Sequence, residues 1–142
     1  MDATSAAVAA AAVFVWLGMV LAISFLEAPL KFRAPGVTVR IGLGIGRLVF
    51  RALNRVEAVL AVVVIAAVAA GDPPAAVTVL TALVAALLVI QLVGVRPALN
   101  RRSDRILSGE EVPRSRAHLL YVAGEVAKAV ALFALGTTLL AS

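Results

Sequence analysis

Four polar side chains interrupt the last apolar stretch of the chain at positions i, i+3, i+7 and i+10. Because an α-helix has 3.6 residues per turn, this spacing places all four on one helical face. If the stretch crosses a bilayer, two of them are ionisable groups well inside a hydrocarbon layer about 30 Å thick. Inserting each such group at that depth costs about 2.5–3.5 kcal/mol. We therefore expect these groups either to be shielded by ion pairing or to serve a function such as proton exchange. The four residues are His118, Tyr121, Glu125 and Lys128.

A second carboxylate occupies a similar position in an earlier apolar stretch. Glu57 follows a basic segment much as Glu125 does, so the two should lie at similar depth. Asn54 precedes Glu57 by three residues and shares its helical face. We expect both glutamates to face each other inside a helical bundle, with Asn54 and the residues above completing a polar pocket open to the cytoplasm. The alternative is that Glu57 pairs with an arginine or Lys128 only to hold helices together.

The elements that must position these residues follow from composition. The chain has 142 residues, of which 63% are apolar and 15% charged, far more apolar than an ordinary soluble domain. Four apolar stretches account for the excess, and each reaches about 20 residues with its flanks, the length that spans a bilayer as a helix. We predict one all-α integral membrane domain over residues 1–142, an up-down bundle of four transmembrane helices. The predicted spans are 6–28, 47–70, 75–96 and 117–140.

The basic residues predict the orientation of the bundle. All but one of the 13 lysines and arginines cluster around two connections, residues 29–46 and 97–116, and the exception is Lys128. Lysine and arginine are enriched in cytoplasmic loops, so both connections should be cytoplasmic and both termini extracytoplasmic. Asp2 precedes the first apolar run and positive charge follows it, which favours a retained helix over a signal peptide. The Ala/Val/Arg-rich composition is typical of a high-GC bacterial genome, which suggests a multi-pass inner-membrane protein.

Arginines in and beside both connections are positioned to contact anionic lipid headgroups. A nucleic-acid site would need a larger unscreened basic surface. The Gly-rich segment 33–46 lacks the strand-to-helix context of a phosphate-binding loop. We predict instead an amphipathic or re-entrant piece along the inner face. Three further arginines could extend the third helix out of the membrane. The residues expected at headgroups are Arg47, Arg51, Arg55, Arg101, Arg102 and Arg105.

The residue inventory argues against most catalytic sites. The chain has no cysteine and one histidine, so thiolate metal sites, a cysteine nucleophile, a bis-histidine haem and the usual zinc and serine-triad arrangements are excluded. We therefore expect no catalytic residue, no metal and no cofactor. A carboxylate site formed by Glu57, Glu125 and His118 stays open.

The chain also hints at an internal repeat. Shifting it by 68 residues places Pro29 on Pro97 and Glu57 on Glu125, with the apolar stretches in phase. Identities elsewhere are few. A helical hairpin used twice in the same orientation is an open alternative.

Some local patterns are similar to a known family. The segment APLKFR at residues 28–33 ends the first span, and Pro97, Asn100 and Asp104 follow the third. With the phase of His118, these resemble a family of four-helix membrane proteins of undefined function, the one that includes transmembrane protein 205. The resemblance implies a four-span fold and carries no activity. Tyr121 and Glu125 stand where a hydroxyl or amide residue is expected in such proteins.

Three functions fit these features. The leading hypothesis is a small transporter or channel-like protein with a proton-linked polar site, acting as a homo-oligomer because four spans are few for a solute pathway. The rival is a structural or accessory membrane protein in which Glu125–Lys128 and Glu57–Asn54 are internal ties and the basic loops bind lipid or a partner. A membrane enzyme acting on lipid is the third.

Overall fold

The fold is a bundle of long helices, as predicted. The computed structural model describes residues 1–112 and 116–142, and within them four helices are long and apolar enough to cross a membrane. This architecture fits a multi-pass membrane protein. The helices are α1 (Ala3–Arg33), α2 (Val39–Ala70), α3 (Ala75–Leu107) and α4 (Arg116–Ala141).

The helix α1 lies between α2 and α4, and α3 packs mainly against α4. Small side chains such as Ala9 and Ala12 are buried on α1, and they let its neighbours approach closely. Larger aliphatic residues of the other helices fill the remaining space. The buried apolar core includes Val13, Val20, Val64, Val68, Val77, Val84, Leu88, Leu132, Leu135 and Leu139.

Two helices widen into a π-helical turn shortly before a proline. In α1 the wide turn is Leu21–Glu27 and precedes Pro29; in α3 it is Gln91–Val95 and precedes Pro97. A proline has no N–H to donate and its ring collides with the carbonyl four residues earlier. A π turn relieves this conflict without ending the helix. When the sequence is shifted by 68 residues, the π turn of α1 therefore overlaps the π turn of α3.

The connection between α1 and α2 is shorter than the sequence analysis predicts. Helix α1 continues to Arg33, and α2 begins at Val39 and runs without interruption to Ala70. Gly36 has a φ of +81° in the intervening turn, and the Thr38 hydroxyl caps α2 by accepting from the Ile41 N–H at 3.2 Å. The predicted separate re-entrant piece over residues 33–46 is thus wrong, because its second half forms the first turns of α2.

The bundle has two unlike ends. At the first, which we call the terminal end, Met1 and Ser5 lie against Gly71, in the turn between α2 and α3. At the second, the basic end, the start of α2 approaches the end of α3, and Arg47 forms an ion pair with Asp104. Helix α3 reaches Leu107, so Arg101, Arg102 and Arg105 extend it as predicted.

Candidate functional site

The ammonium group of Lys128 is the centre of a buried polar cluster. Its Nζ donates to Gln91 Oε1 at 2.7 Å and to Glu125 Oε1 at 2.8 Å, and it forms an ion pair with Glu57 Oε2 at 2.5 Å. Lys128 is 0% exposed. The three contacts match the three N–H donors of an ammonium.

Further donors on α1 and α3 hold the two carboxylates. Glu57 Oε2 accepts from the indole Nε1 of Trp16 at 2.8 Å. Glu125 Oε2 accepts from the Ser24 hydroxyl at 2.7 Å, and its Oε1 accepts from Gln91 Nε2 at 2.8 Å. Each of the four helices therefore contributes to what we call the buried polar cluster. Its members are Trp16, Ser24, Glu57, Gln91, Glu125 and Lys128.

Local backbone geometry brings two of these residues to Glu125. Ser24 lies within the π turn of α1, and Gln91 opens the π turn of α3. Widened turns of this kind often occur at functional positions because they redirect side chains. Gly124 also contributes, since a Cβ at that position would lie only 2.9 Å from Gln91 Nε2. A glycine beside Glu125 thus leaves room for the Gln91 amide.

The cluster contains two carboxyl groups and one amine. With all three ionised, they would leave one negative charge in a core where uncompensated charge is costly. Arg96 of α3 supplies an opposite charge nearby, because Arg96 and Glu125 line the same small cavity. That guanidinium lies 4.5 Å from the centre of the Phe50 ring and 5.3 Å from that of Tyr121. Aromatic faces, rather than a carboxylate, therefore hold Arg96 in place.

A small cavity lies between the cluster and Arg96. Its volume is about 10 Å³, close to the space that one water molecule needs. The buried Tyr121 hydroxyl has no hydrogen-bond partner among the described residues. A single water here would find polar atoms on several sides. The cavity is lined by Asn54, Gln91, Val95, Arg96, Tyr121 and Glu125.

Two larger cavities open at the basic end. The central cavity, of about 390 Å³, is lined by residues of every helix, including Lys31, Arg102 and His118. The lateral groove, of about 350 Å³, lies between α2 and α3. Arg47, Phe50, Arg96 and Asn100 line both, and no carboxylate of the described residues lines either. Both spaces are therefore electropositive.

The structure brings together only part of the predicted site. Glu57, Glu125 and Lys128 meet as expected, while Asn54 and Tyr121 line the small cavity beside them. His118 lies apart from the cluster. It is exposed in the central cavity, and its ring is 6.5 Å from that of Tyr121. The predicted Glu57–Asn54 tie is wrong, because Glu57 bonds Trp16 and Lys128.

The predicted headgroup arginines take different positions. Arg51 and Arg55 are exposed and line the lateral groove with Arg47. Arg105 pairs with Glu110 at 3.1 Å. Arg101 is exposed and Arg102 lines the central cavity. Headgroup contact itself stays a prediction.

Sequence reasoning missed four contributors, Trp16, Ser24, Gln91 and Arg96. Weak signals were present: Trp16 is the sole tryptophan and Gln91 the sole glutamine of the chain. Neither signal indicates a partner on another helix. Within residues 1–112 and 116–142, no group of three or more His, Asp or Glu side chains could hold a metal ion.

No family model matches the chain, and no similar protein was found among curated proteins or solved structures. The resemblance to the four-helix family therefore stays a prediction.

Proposed function

We propose that this protein is a small membrane transporter or channel-like protein whose buried polar cluster exchanges a proton. The single observation that carries the proposal is that two buried carboxyl groups share the one amine of Lys128 beside a cavity of one-water size. One proton on Glu57 or Glu125 would neutralise the cluster. A site that changes between charged and neutral forms inside a membrane is suited to proton coupling.

The solute would enter the central cavity from the basic end. The electropositive lining of this cavity favours an anion, and Arg96 lies between the cavity and Glu125. An anion that pairs with Arg96 would withdraw the positive charge that balances the cluster. Proton uptake by a carboxylate would then restore neutrality, so anion and proton would move together.

Access on the opposite side requires a conformational change. Towards the terminal end, apolar residues such as Val13, Leu132 and Leu135 are fully buried, and this packing separates the cluster from that side. The two π turns flank the cluster and are weak points at which α1 and α3 could bend. A second copy of the chain would complete the pathway, which is the reason for proposing a homo-oligomer.

The membrane setting belongs to the same proposal. We place the basic end in the cytoplasm and both termini outside, because lysine and arginine are enriched in cytoplasmic loops. The bacterial inner membrane is the proposed location, with anionic headgroups around the basic end.

Proton flux into proteoliposomes, followed with an enclosed pH-sensitive dye, tests the proposal. A panel of carboxylate and phosphate solutes is applied on the basic side. We expect at least one solute to drive acidification in the wild type and Glu57→Gln and Glu125→Gln to abolish it. Glu110→Gln is the matched control, since Glu110 is exposed and pairs with Arg105 at 3.1 Å outside the cluster and both cavities. Solute-driven flux that survives both cluster variants would overturn the proposal.

A second function is favoured by one observation. Each N–H of Lys128 has an acceptor, as a purely structural tie between helices would require. In that reading, the protein is a structural or accessory membrane protein and the basic end binds lipid or a partner. In that case the wild type would show no proton flux, and Glu57→Gln and Glu125→Gln would only lower the stability of the protein.

A further inference from the structure

The lateral groove between α2 and α3 has features that the proton-exchanging cluster does not explain. Four arginines line it, together with Asn54 and Asn100 as hydrogen-bonding side chains and Phe50, Ala58 and Leu92 as apolar ones. The amides and guanidinium groups supply hydrogen-bond donors, and the apolar residues form a hydrophobic wall. Such a lining suits a molecule with an anionic head and a hydrocarbon body. The four arginines are Arg47, Arg51, Arg55 and Arg96.

Two of these arginines have no counter-charge within the described part of the chain. Arg51 and Arg55 are exposed and form no ion pair with a described carboxylate. Arg47 by contrast pairs with Asp104. Exposed guanidinium groups without a carboxylate are ordinary in water, but they are expensive near hydrocarbon.

Their depth makes the missing counter-charge significant. At 1.5 Å per residue, Arg55 lies about 22 Å and Arg51 about 28 Å from the Ala70 end of α2. A hydrocarbon layer about 30 Å thick that begins at Ala70 therefore extends past both. Each side chain must snorkel outward or find an anion at the membrane surface.

From this combination of charge, depth and shape, we propose that the lateral groove binds the headgroup of an anionic phospholipid. The lipid phosphate lies between Arg51 and Arg55, which bind phosphate oxygens through two parallel N–H donors each. Asn54, which lies between these two arginines in the sequence of α2, donates to the headgroup. The acyl chains leave the groove along the exposed apolar residues of α2, such as Val59 and Val62.

The groove also connects this lipid to the central cavity. Phe50 and Arg96 line both spaces, and the Arg96 guanidinium rests on the Phe50 ring. This pair forms the wall between them. A headgroup in the groove lies beside Arg96, so lipid binding acts on a guanidinium that also lines the small cavity next to Glu125.

Lipid binding to the delipidated protein in detergent tests the proposal directly. Native mass spectrometry counts bound phosphatidylglycerol and phosphatidylcholine during titration with each lipid, and inorganic phosphate serves as a competitor. For the wild type, we expect phosphatidylglycerol to bind at least about tenfold more tightly than phosphatidylcholine. The Arg51→Gln/Arg55→Gln double variant should lose that preference.

The matched control is the Arg33→Gln/Arg40→Gln double variant, which removes two exposed basic groups that do not line the groove and should keep the preference. If the glutamine variant does not fold, Arg51→Lys/Arg55→Lys replaces it and should keep the charge attraction while losing at least about threefold in affinity. Equal binding of both lipids by the wild type would overturn the proposal. So would loss of lipid in millimolar inorganic phosphate, which would indicate an ion site. Because no proton flux is measured, this test is independent of the transport proposal.

Discussion

Lys128 Nζ lies 2.5 Å from Oε2 of Glu57 on α2, although Glu125, one turn away on its own helix, already accepts from the same ammonium at 2.8 Å. The pairing of Glu125 with Lys128 is local and would form in an isolated helix. The pairing with Glu57 exists only when α2 and α4 are packed with their polar residues at the same depth. A single amine thus ties two helices together and serves two carboxyl groups.

Lys128→Met should be strongly destabilising. The change leaves Glu57 and Glu125 buried without their shared counter-charge, and loss of one partner of a buried ion pair costs about 3–5 kcal/mol. The thermal midpoint of the purified protein in detergent should fall sharply. The triple variant Glu57→Gln/Glu125→Gln/Lys128→Met carries no buried charge and should recover most of the loss. A Lys128→Met protein as stable as the wild type would show that the cluster does not hold the helices.

Gly124→Ala should disturb the cluster without changing any of its members. The added methyl group would approach Gln91 Nε2 at 2.9 Å, which is too close for that amide to keep both of its bonds. We expect a lower thermal midpoint and partial loss of any proton flux. Gly18→Ala is the control, because this position lies in the regular part of α1 and nothing lies within 4 Å of a Cβ there, and alanine favours a helix over glycine by about 1 kcal/mol. The two variants should therefore shift the midpoint in opposite directions, and a shift in the same direction would contradict this account.

Asp2 should give the terminal end an acid-sensitive contribution to stability. Its carboxylate accepts from the Ser5 N–H at 2.9 Å, and this bond holds the pKa of Asp2 below its usual value of 3.8. Since the folded protein favours the ionised form, the contribution is present above pH 3.8 and is lost as the pH falls through the lower, folded value. Asp2→Ala should unfold at a lower temperature than the wild type at pH 7, with the difference closing in acid. Asp2→Asn keeps a capping side chain without the charge, so its stability relative to Asp2→Ala should not change with pH.

Single cysteines can report the orientation, because the chain has none of its own. Ser142→Cys marks the terminal end and Ser108→Cys the basic end, and both positions are exposed. In intact bacterial cells expressing the protein, a membrane-impermeant maleimide should label only Ser142→Cys. After lysis it should label both. Labelling of Ser108→Cys alone in intact cells would invert the proposed topology.

Much of the helical framework can be read from the sequence. The length and polarity of the four apolar stretches predict four long helices, and the i, i+3 spacing of Glu125 and Lys128 predicts their contact. The recurrence of Phe50, Asn54, Glu57 and Ala61 on one face is likewise local, and three of these residues are buried with Asn54 half-buried. These features depend on properties of one helix at a time, so a single sequence determines them.

Only the tertiary structure identified the partners of the carboxylates. Trp16, Ser24 and Gln91 lie in stretches whose composition predicts nothing beyond a span, and each acquires its role from the rotation and depth of one helix against another. The π turns before Pro29 and Pro97 change that rotation locally, which a regular helical repeat does not anticipate. For His118 the sequence predicted too much: it shares the helical face of Glu125, but it lies in the central cavity and makes no contact with the cluster. The spacing of residues in the sequence determines which side chains share a helical face. Which residues that face contacts depends on how the helices pack.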